Sequence, residues 1–274
     1  MLRHFAAIIT ILFFGGGCMS LVPRPPDTGP RPIVRVITVH SDRGPYMVAH
    51  RGGAGLAPEN TCSAIVQSSF YRPHFYEVDI RHTRDGIAVC IHDDALDRTT
   101  DLSGAVADFS FEQIDMADAG GWFDEFFAGE KIPTLDRVLD CANPDPLLIE
   151  IKERDISAER CRAIADLLAE KKDISSVIIS FHREALETWR EIDPDRRTGY
   201  LVREPDDYMF DGPHEMVGIA SGVLTQEIVD KLQESGKAVN VYTVNENYDK
   251  FINMGVDLIT TNFPDQLRKA LPPG

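Results

Sequence analysis

Two histidines, His50 and His92, bracket a stretch that also holds Arg51, Glu59, Glu77 and Asp79, and the later segment LLIEIKE adds Glu150 and Lys152. Alternate residues of a strand point the same way, so Glu77 and Asp79 share a face of YEVDIRHT, and Glu150 and Lys152 share a face of IEIK. Acids on apolar strands are costly to bury unless they are paired or bound to a cation. Three carboxylates converging from two strands would make an all-oxygen site for one hard divalent cation, Mg²⁺ or Ca²⁺, and oxygen ligands alone do not choose between the two. Imidazoles beside such a site can take and give protons near neutral pH. Arg51 and Lys152 would bring positive charge to an anionic substrate, most naturally a phosphate. Metal, two imidazoles and cations together suit phosphodiester cleavage. His74, His82, His182 and His214 have no comparable context and read as structural or exposed.

These side chains need a scaffold that brings several strand ends together. YMVAH is an apolar strand ending at His50. A cap at Asn60 or Thr61 starts a helix over TCSAIVQSSF. YEVDIRHT and IAVCIHD flank an Arg-Asp-Gly turn and read as antiparallel neighbours. Beyond PLLIEIK the chain alternates helical and strand patterns through SSVIISF, GYLVRE, MVGIAS, AVNVYTVN and DLITTN. That alternation predicts an α/β fold with a mainly parallel sheet, and the length suits one TIM-type (β/α)8 barrel. The pattern offers nine strands where a closed barrel needs eight, so one is misread or lies outside. In such a barrel the active groups sit at the carboxyl ends of the strands, where His50, Glu77, Asp79, His92, Glu150 and Lys152 are all expected. Residues 95–131 are irregular and form a short insertion after the third strand. Trp122, Phe123, Phe126 and Phe127 there either glue the insertion down or meet a leaving group.

The formal charge of −16, from 44 acids against 28 bases, argues against nucleic acid or a broad anionic-membrane docking face. Residues 1–18 read as a signal peptide, a basic start followed by an apolar run too short to span a bilayer comfortably. Cys18 after Gly-Gly-Gly is similar to a bacterial lipoprotein processing site, although Gly15 stands where such signals favour Leu. Residues 19–45 read as a Pro-rich tether, within which RPIVRVITVH could form a strand outside the barrel. The expected location is the cell envelope or periplasm, with membrane contact only through a lipid anchor on Cys18. Cys62, Cys90, Cys141 and Cys161 have no metal-site spacing. Export permits disulfides, but buried thiols are the expectation for most of them.

HRG at 50–52, PENT at 58–61, Glu-x-Asp at 77–79, TRDG at 83–86, HDD at 92–94, LDRTT at 96–100 and IEIK at 149–152 occur in order. IPTLDRVL, SF at 180–181, YTVN at 242–245 and GVDLITTNFP follow. Each piece is weak, but the ordered set, over roughly residues 46–271, resembles the glycerophosphodiester phosphodiesterase family of TIM-barrel phosphodiesterases. The resemblance implies metal-dependent release of sn-glycerol 3-phosphate and an alcohol from a small glycerophosphodiester. It implies His50 and His92 as the acid/base pair, Glu77, Asp79 and Glu150 as metal ligands, and Arg51, Lys152, Glu59 and Tyr242 around the substrate. Tyr242 stands where the family usually has Trp. Asn262 replaces a usual Asp, which is expected to affect a turn more than the chemistry. The alternatives are lysophospholipase D-type cleavage, motivated by the aromatics at 122–127, and a non-catalytic glycerophosphodiester-binding envelope protein.

Overall fold

The computed structural model describes residues 44–272. The signal peptide, Cys18 and nearly all of the tether, including its candidate strand, lie outside the described residues. Nine strands form in order: β1 (Tyr46–Ala49), β2 (Phe75–His82), β3 (Ala88–Cys90), β4 (Leu147–Ile151), β5 (Ser176–Ser180), β6 (Thr198–Val202), β7 (Met216–Ala220), β8 (Ala238–Tyr242) and β9 (Leu258–Thr261). Eight of them pair in parallel, and β1 hydrogen-bonds to both β9 and β2, which closes the ring. β3 is the ninth. It runs antiparallel on β2, pairing Ile80 with Cys90 and His82 with Ala88, and stays outside the ring.

The strands are nearly continuous apolar runs because both faces are covered. Val48, Phe75, Leu148, Val177, Ile179, Leu201, Met216 and Leu258 belong to one buried cluster that fills the barrel. The opposite faces pack under helices, with Trp189, Ile149, Val217 and Ile259 fully buried there. Helix α1 (Cys62–Ser69) starts where Thr61 Oγ1 accepts from the Ala64 N–H at 3.2 Å, so Thr61 rather than Asn60 is the cap. Thr134 and Ser157 cap α3 (Leu135–Ala142) and α4 (Ala158–Glu170) in the same way, each cap worth about 1 kcal/mol. A one-turn α2 (Phe111–Ile114) lies within the insertion. The remaining helices are α5 (Arg183–Ile192), α6 (Tyr208–Asp211), α7 (Gln226–Glu234), α8 (Tyr248–Asn253) and α9 (Pro264–Ala270). Helix α9 lies beyond the last strand that the sequence pattern predicts. Pro264 in its first turn and Arg268 and Lys269 in its last were the available signals.

Two expectations are corrected. Cys62 and Cys141 form a disulfide that ties α1 to α3, and among the described residues Cys90 and Cys161 are the buried thiols. Sequence spacing could not show that the two helices bring those Cα atoms to 5.7 Å. The second correction is to His92, which does not end a barrel strand. It follows β3, which descends from the carboxyl end of β2 until the Ile91 N–H donates to the Asp79 carbonyl at 3.0 Å. His92 therefore arrives at the level of the acids from a strand running the other way.

Candidate active site

Inside the ring, β2 and β4 change character toward the mouth. Phe75, Glu77 and Asp79 share the inner face of β2, and Leu148 and Glu150 that of β4, so an apolar floor gives way to acids. Parallel register sets Asp79 opposite Glu150. All three acids are buried, and one oxygen from each lies within 4.8 Å of the others. Lys152 Nζ sits 2.7 Å from Glu150 Oε1 and 3.3 Å from Asp79 Oδ1, while Arg51 Nε is 3.5 Å from Asp79 Oδ2. Asn60, in a left-handed conformation, clamps Asp79: its Nδ2 donates to Oδ2 at 2.8 Å and its Oδ1 accepts the Asp79 N–H at 3.0 Å. The sequence offered Asn60 as a cap, and the structure makes it a hydrogen-bond partner of Asp79 instead.

These acids are unequally charged. Burial would raise Asp79, but Lys152 and Arg51 hold it well below the usual carboxylate range. Burial, Asp79 and Glu150 push Glu77 well above that range, and burial with Asp79 lifts Glu150 to about 7. Glu77 Oε1 is buried with no hydrogen-bond partner. A clustered set of hard oxygen donors, two of them pushed up by burial and by one another and one with an orphaned oxygen, fits a hard divalent cation.

The two histidines are held differently. His50 follows β1 in a tight turn, and its Nδ1 lies 2.6 Å from Asn262 Oδ1. An amide oxygen only accepts, so Nδ1 carries the hydrogen and Nε2 of the neutral ring keeps its lone pair. Burial and then Arg51 lower His50 to about 4. Asn262 is thus a partner of His50 and not only a turn residue, contrary to expectation. The approach depends on Gly55, whose N–H donates to the Asn262 carbonyl at 2.9 Å; a methyl there would fall on the Phe263 ring. His92 donates through Nδ1 to a carboxylate instead, Asp93 Oδ1 at 2.7 Å. Burial sets His92 below its ordinary value, with Asp79 and Asp93 acting in the other direction. Arg98 grips Asp93 at 2.6 Å and Glu59 at 2.7 Å, and Glu59 accepts from Arg51 Nη1 at 2.7 Å. A single chain of ion pairs therefore runs from His92 to Asp79. Asp93 and Arg98 stood in the HDD and LDRTT segments but were not read as site residues.

His50, Arg51, Glu77, His92, Glu150, Lys152 and Tyr242 line one cavity of about 220 Å³, which also meets Phe181, Arg203, Asn240 and Thr260. Asp79 and Glu59 lie behind this lining, paired as described. The Tyr242 hydroxyl donates to the Val202 carbonyl at 2.6 Å, so the tyrosine offers the cavity its ring. Trp122, Phe123, Phe126 and Phe127 pack edge-to-face on one another, and none of them lines the cavity. Of the other histidines, His82 binds Glu153, His214 is buried, and His74 accepts the Met47 N–H in β1.

Imidazoles, acids and cations gathered at the carboxyl rim of a parallel barrel suit hydrolysis of an anionic ester. A model of the glycerophosphoryl diester phosphodiesterase family matches residues 50–266. A glycerophosphodiester phosphodiesterase of Bacillus subtilis is 32% identical over 249 residues, 81% of this chain and 85% of its own. One from Caldanaerobacter subterraneus is 31% identical, over 81% of this chain and 95% of its own. Among solved structures, an Oleispira antarctica phosphodiesterase in complex with the product sn-glycerol-3-phosphate superposes with a TM-score of 0.78 at 26% identity, covering 83% of this chain and 96% of its own. The chain belongs to the glycerophosphoryl diester phosphodiesterase family and is an enzyme of that family.

Proposed function

We propose that the chain hydrolyses small glycerophosphodiesters to sn-glycerol 3-phosphate and an alcohol, with His50 and His92 as the acid/base pair. The observation that carries this reading is the single cavity onto which both imidazoles and the acid cluster open. The product bound in the Oleispira relative supports the glycerol side of the assignment. Glu77, Asp79 and Glu150 would hold a Mg²⁺ or Ca²⁺ ion, which supplies charge stabilisation for the phosphate and lowers the pKa of a nearby hydroxyl. Arg51 and Lys152 add positive charge beside the phosphate.

The histidine partners support a division of labour. His50 has a neutral partner, a buried ring and a free Nε2, so it removes the proton of the glycerol 2-hydroxyl as that oxygen attacks phosphorus. His92 has an anionic partner that favours its imidazolium, so it gives its Nε2 proton to the leaving alkoxide as the phosphorus–oxygen bond breaks. Water then opens the five-membered cyclic phosphate. His92 takes the water's proton, and His50 returns its own to the 2-oxygen. The test is glycerol 3-phosphate release by the domain lacking residues 1–20, with Mg²⁺, with Ca²⁺ and with chelator. Chelator-sensitive release is expected, and His50→Ala and His92→Ala should each cost at least a hundredfold. Near-wild-type rates in both variants, or no release from folded wild-type protein, would refute the proposal.

We also propose that the protein is exported and anchored through lipidated Cys18. The Cys62–Cys141 disulfide supports an oxidising compartment, and among the described residues no helix is long and apolar enough to cross a membrane. Intact-mass measurement of the mature protein from a bacterial host should show a diacylglyceryl or acyl addition that Cys18→Ala removes. An unmodified mature chain would refute the anchor.

A further inference from the structure

The cavity has a second wall that the chemistry above does not use. Phe181 and Arg203 follow β5 and β6, beyond β4 from the acids of β2, and both line the cavity. The Arg203 guanidinium carbon lies 4.8 Å from the centre of the Phe181 ring, and Lys152 Nζ lies 5.9 Å from the same centre. Tyr242 meets Phe181 edge-on with ring centres 5.7 Å apart. Arg203 is exposed and, among the described residues, makes no ion pair. Its charge is therefore available to whatever occupies the rim.

This wall has consequences for the leaving alcohol. With its 2-hydroxyl at His50 and beside Glu77 and Glu150, the glycerol half lies on the buried side of the cavity. The alcohol that departs lies toward the open rim, where Arg203 stands. A quaternary or primary ammonium is recognised by aromatic faces and by carboxylates. Here the Phe181 face already carries two cations of the protein itself. Among the described residues, the only carboxylates lining the cavity are Glu77 and Glu150, both in the acid cluster. A cationic head group would thus meet like charge and find no counter-ion.

We propose that Arg203, stacked on Phe181, selects the leaving alcohol: the enzyme favours glycerophosphodiesters whose alcohol is an uncharged polyol or carries an anionic group, and disfavours choline and ethanolamine esters. This rests on the proposed glycerophosphodiester hydrolysis and assigns its head-group class. Hydroxyls and anionic oxygens accept from a guanidinium, while an ammonium is repelled by it.

The experiment compares kcat/KM for glycerophosphoglycerol and glycerophosphocholine in the wild type, Arg203→Gln and Arg203→Glu. The wild type should prefer the glycerol ester. Arg203→Gln should shrink that preference about fivefold and Arg203→Glu about tenfold or more, mainly through KM, as expected for one exposed charge removed or reversed. Because Arg203 is exposed and unpaired, both variants should melt with the wild type. Wild-type preference for the choline ester, an unchanged ratio in Arg203→Glu, or equal losses on both substrates would overturn the assignment. Absence of glycerol 3-phosphate from either ester would instead remove the hydrolysis reading itself, and this inference with it.

Discussion

Replacing Asp93 by Asn separates the two histidines more sharply than deleting either. Asp93 Oδ1 accepts from His92 Nδ1 at 2.7 Å, and each side chain is about a third exposed, at 30% and 31%. Arg98 and then His92 hold the Asp93 carboxyl far below its ordinary range, so it is a full negative charge at any working pH. Two unit charges about 4 Å apart interact by roughly 4 kcal/mol at an effective dielectric of 20, and by about 1 kcal/mol in water. The partial exposure places this pair between those limits, at about 1–3 kcal/mol of imidazolium stabilisation. That corresponds to a roughly five- to 150-fold fall in kcat/KM, if His92 protonates the leaving group. The assay uses two glycerophosphate esters, one with an alkyl alcohol of pKa roughly 15 and one with nitrophenol, of pKa about 7, which leaves with little help. Asp93→Asn should show the full loss on the alkyl ester and less than about threefold on the nitrophenyl ester. Removing the carboxylate lowers the His92 pKa, so the alkaline limb of the alkyl-ester profile should move to lower pH. Equal losses on both esters would refute the assignment of His92 as general acid.

Two further outcomes follow from the same structure. Ca²⁺ or Mg²⁺ at about a hundred times its Kd should stabilise the protein by about 2.7 kcal/mol, or roughly 5–10 °C in Tm. Glu77→Gln should lose that response yet melt no lower than wild type without cation, because Gln keeps an oxygen to accept from the Arg51 N–H and places no charge in a crowded buried set; an unchanged cation response would exclude Glu77 as a ligand. His74 is lowered to about 4 by burial and then by Arg268, and its unprotonated Nδ1 accepts the Met47 N–H at 2.9 Å. The unfolded chain binds this proton from about pH 6.5 downward and the folded chain only near 4. The stability contribution is therefore complete above about 6.5 and is lost as pH falls through 4, at most about 3 kcal/mol. Urea midpoints across this window should fall less steeply in His74→Gln, and parallel profiles would count against the assignment.

What could be read without coordinates divides along physical lines. The ring strands and the facing of Glu77 with Asp79 were legible because they follow from a period of two along apolar runs. The antiparallel pairing of β3 was legible from its turn chemistry. Partners contributed by distant segments were not. Asn262 meets His50 across 212 positions, because β9 closes the ring beside β1 and the close approach at Gly55 brings the two loops together. An Asn after a strand reads as a turn residue unless that neighbour is known. Cys62 and Cys141 share the difficulty, since two helices must first dock. Arg98 was hidden for another reason: an arginine in an irregular insertion looks like a solvated charge until Asp93 and Glu59 are seen to converge on it.

The same point applies to charge. A chain with a formal charge of −16 would be expected to repel a phosphodiester. Yet Arg51, Lys152 and Arg203 all open on the cavity, while Asp79 lies beneath them and Glu59 and Asp93 are bound to Arg98. The acids of the mouth outside Glu77 and Glu150 are thus spent on holding imidazoles and cations in place, which leaves Arg51, Lys152 and Arg203 to face a ligand away from the acid cluster. Low-dielectric walls focus such a field at the opening, and the acidic exterior does little to oppose it beyond a screening length of about 8 Å at physiological salt. Adding an anionic group to the alcohol should therefore lower KM in a salt-dependent way, whereas an ammonium should raise it, with both effects fading together as salt rises. A KM for the anionic ester that does not change with salt would mean that contact geometry, and not this field, sets the preference.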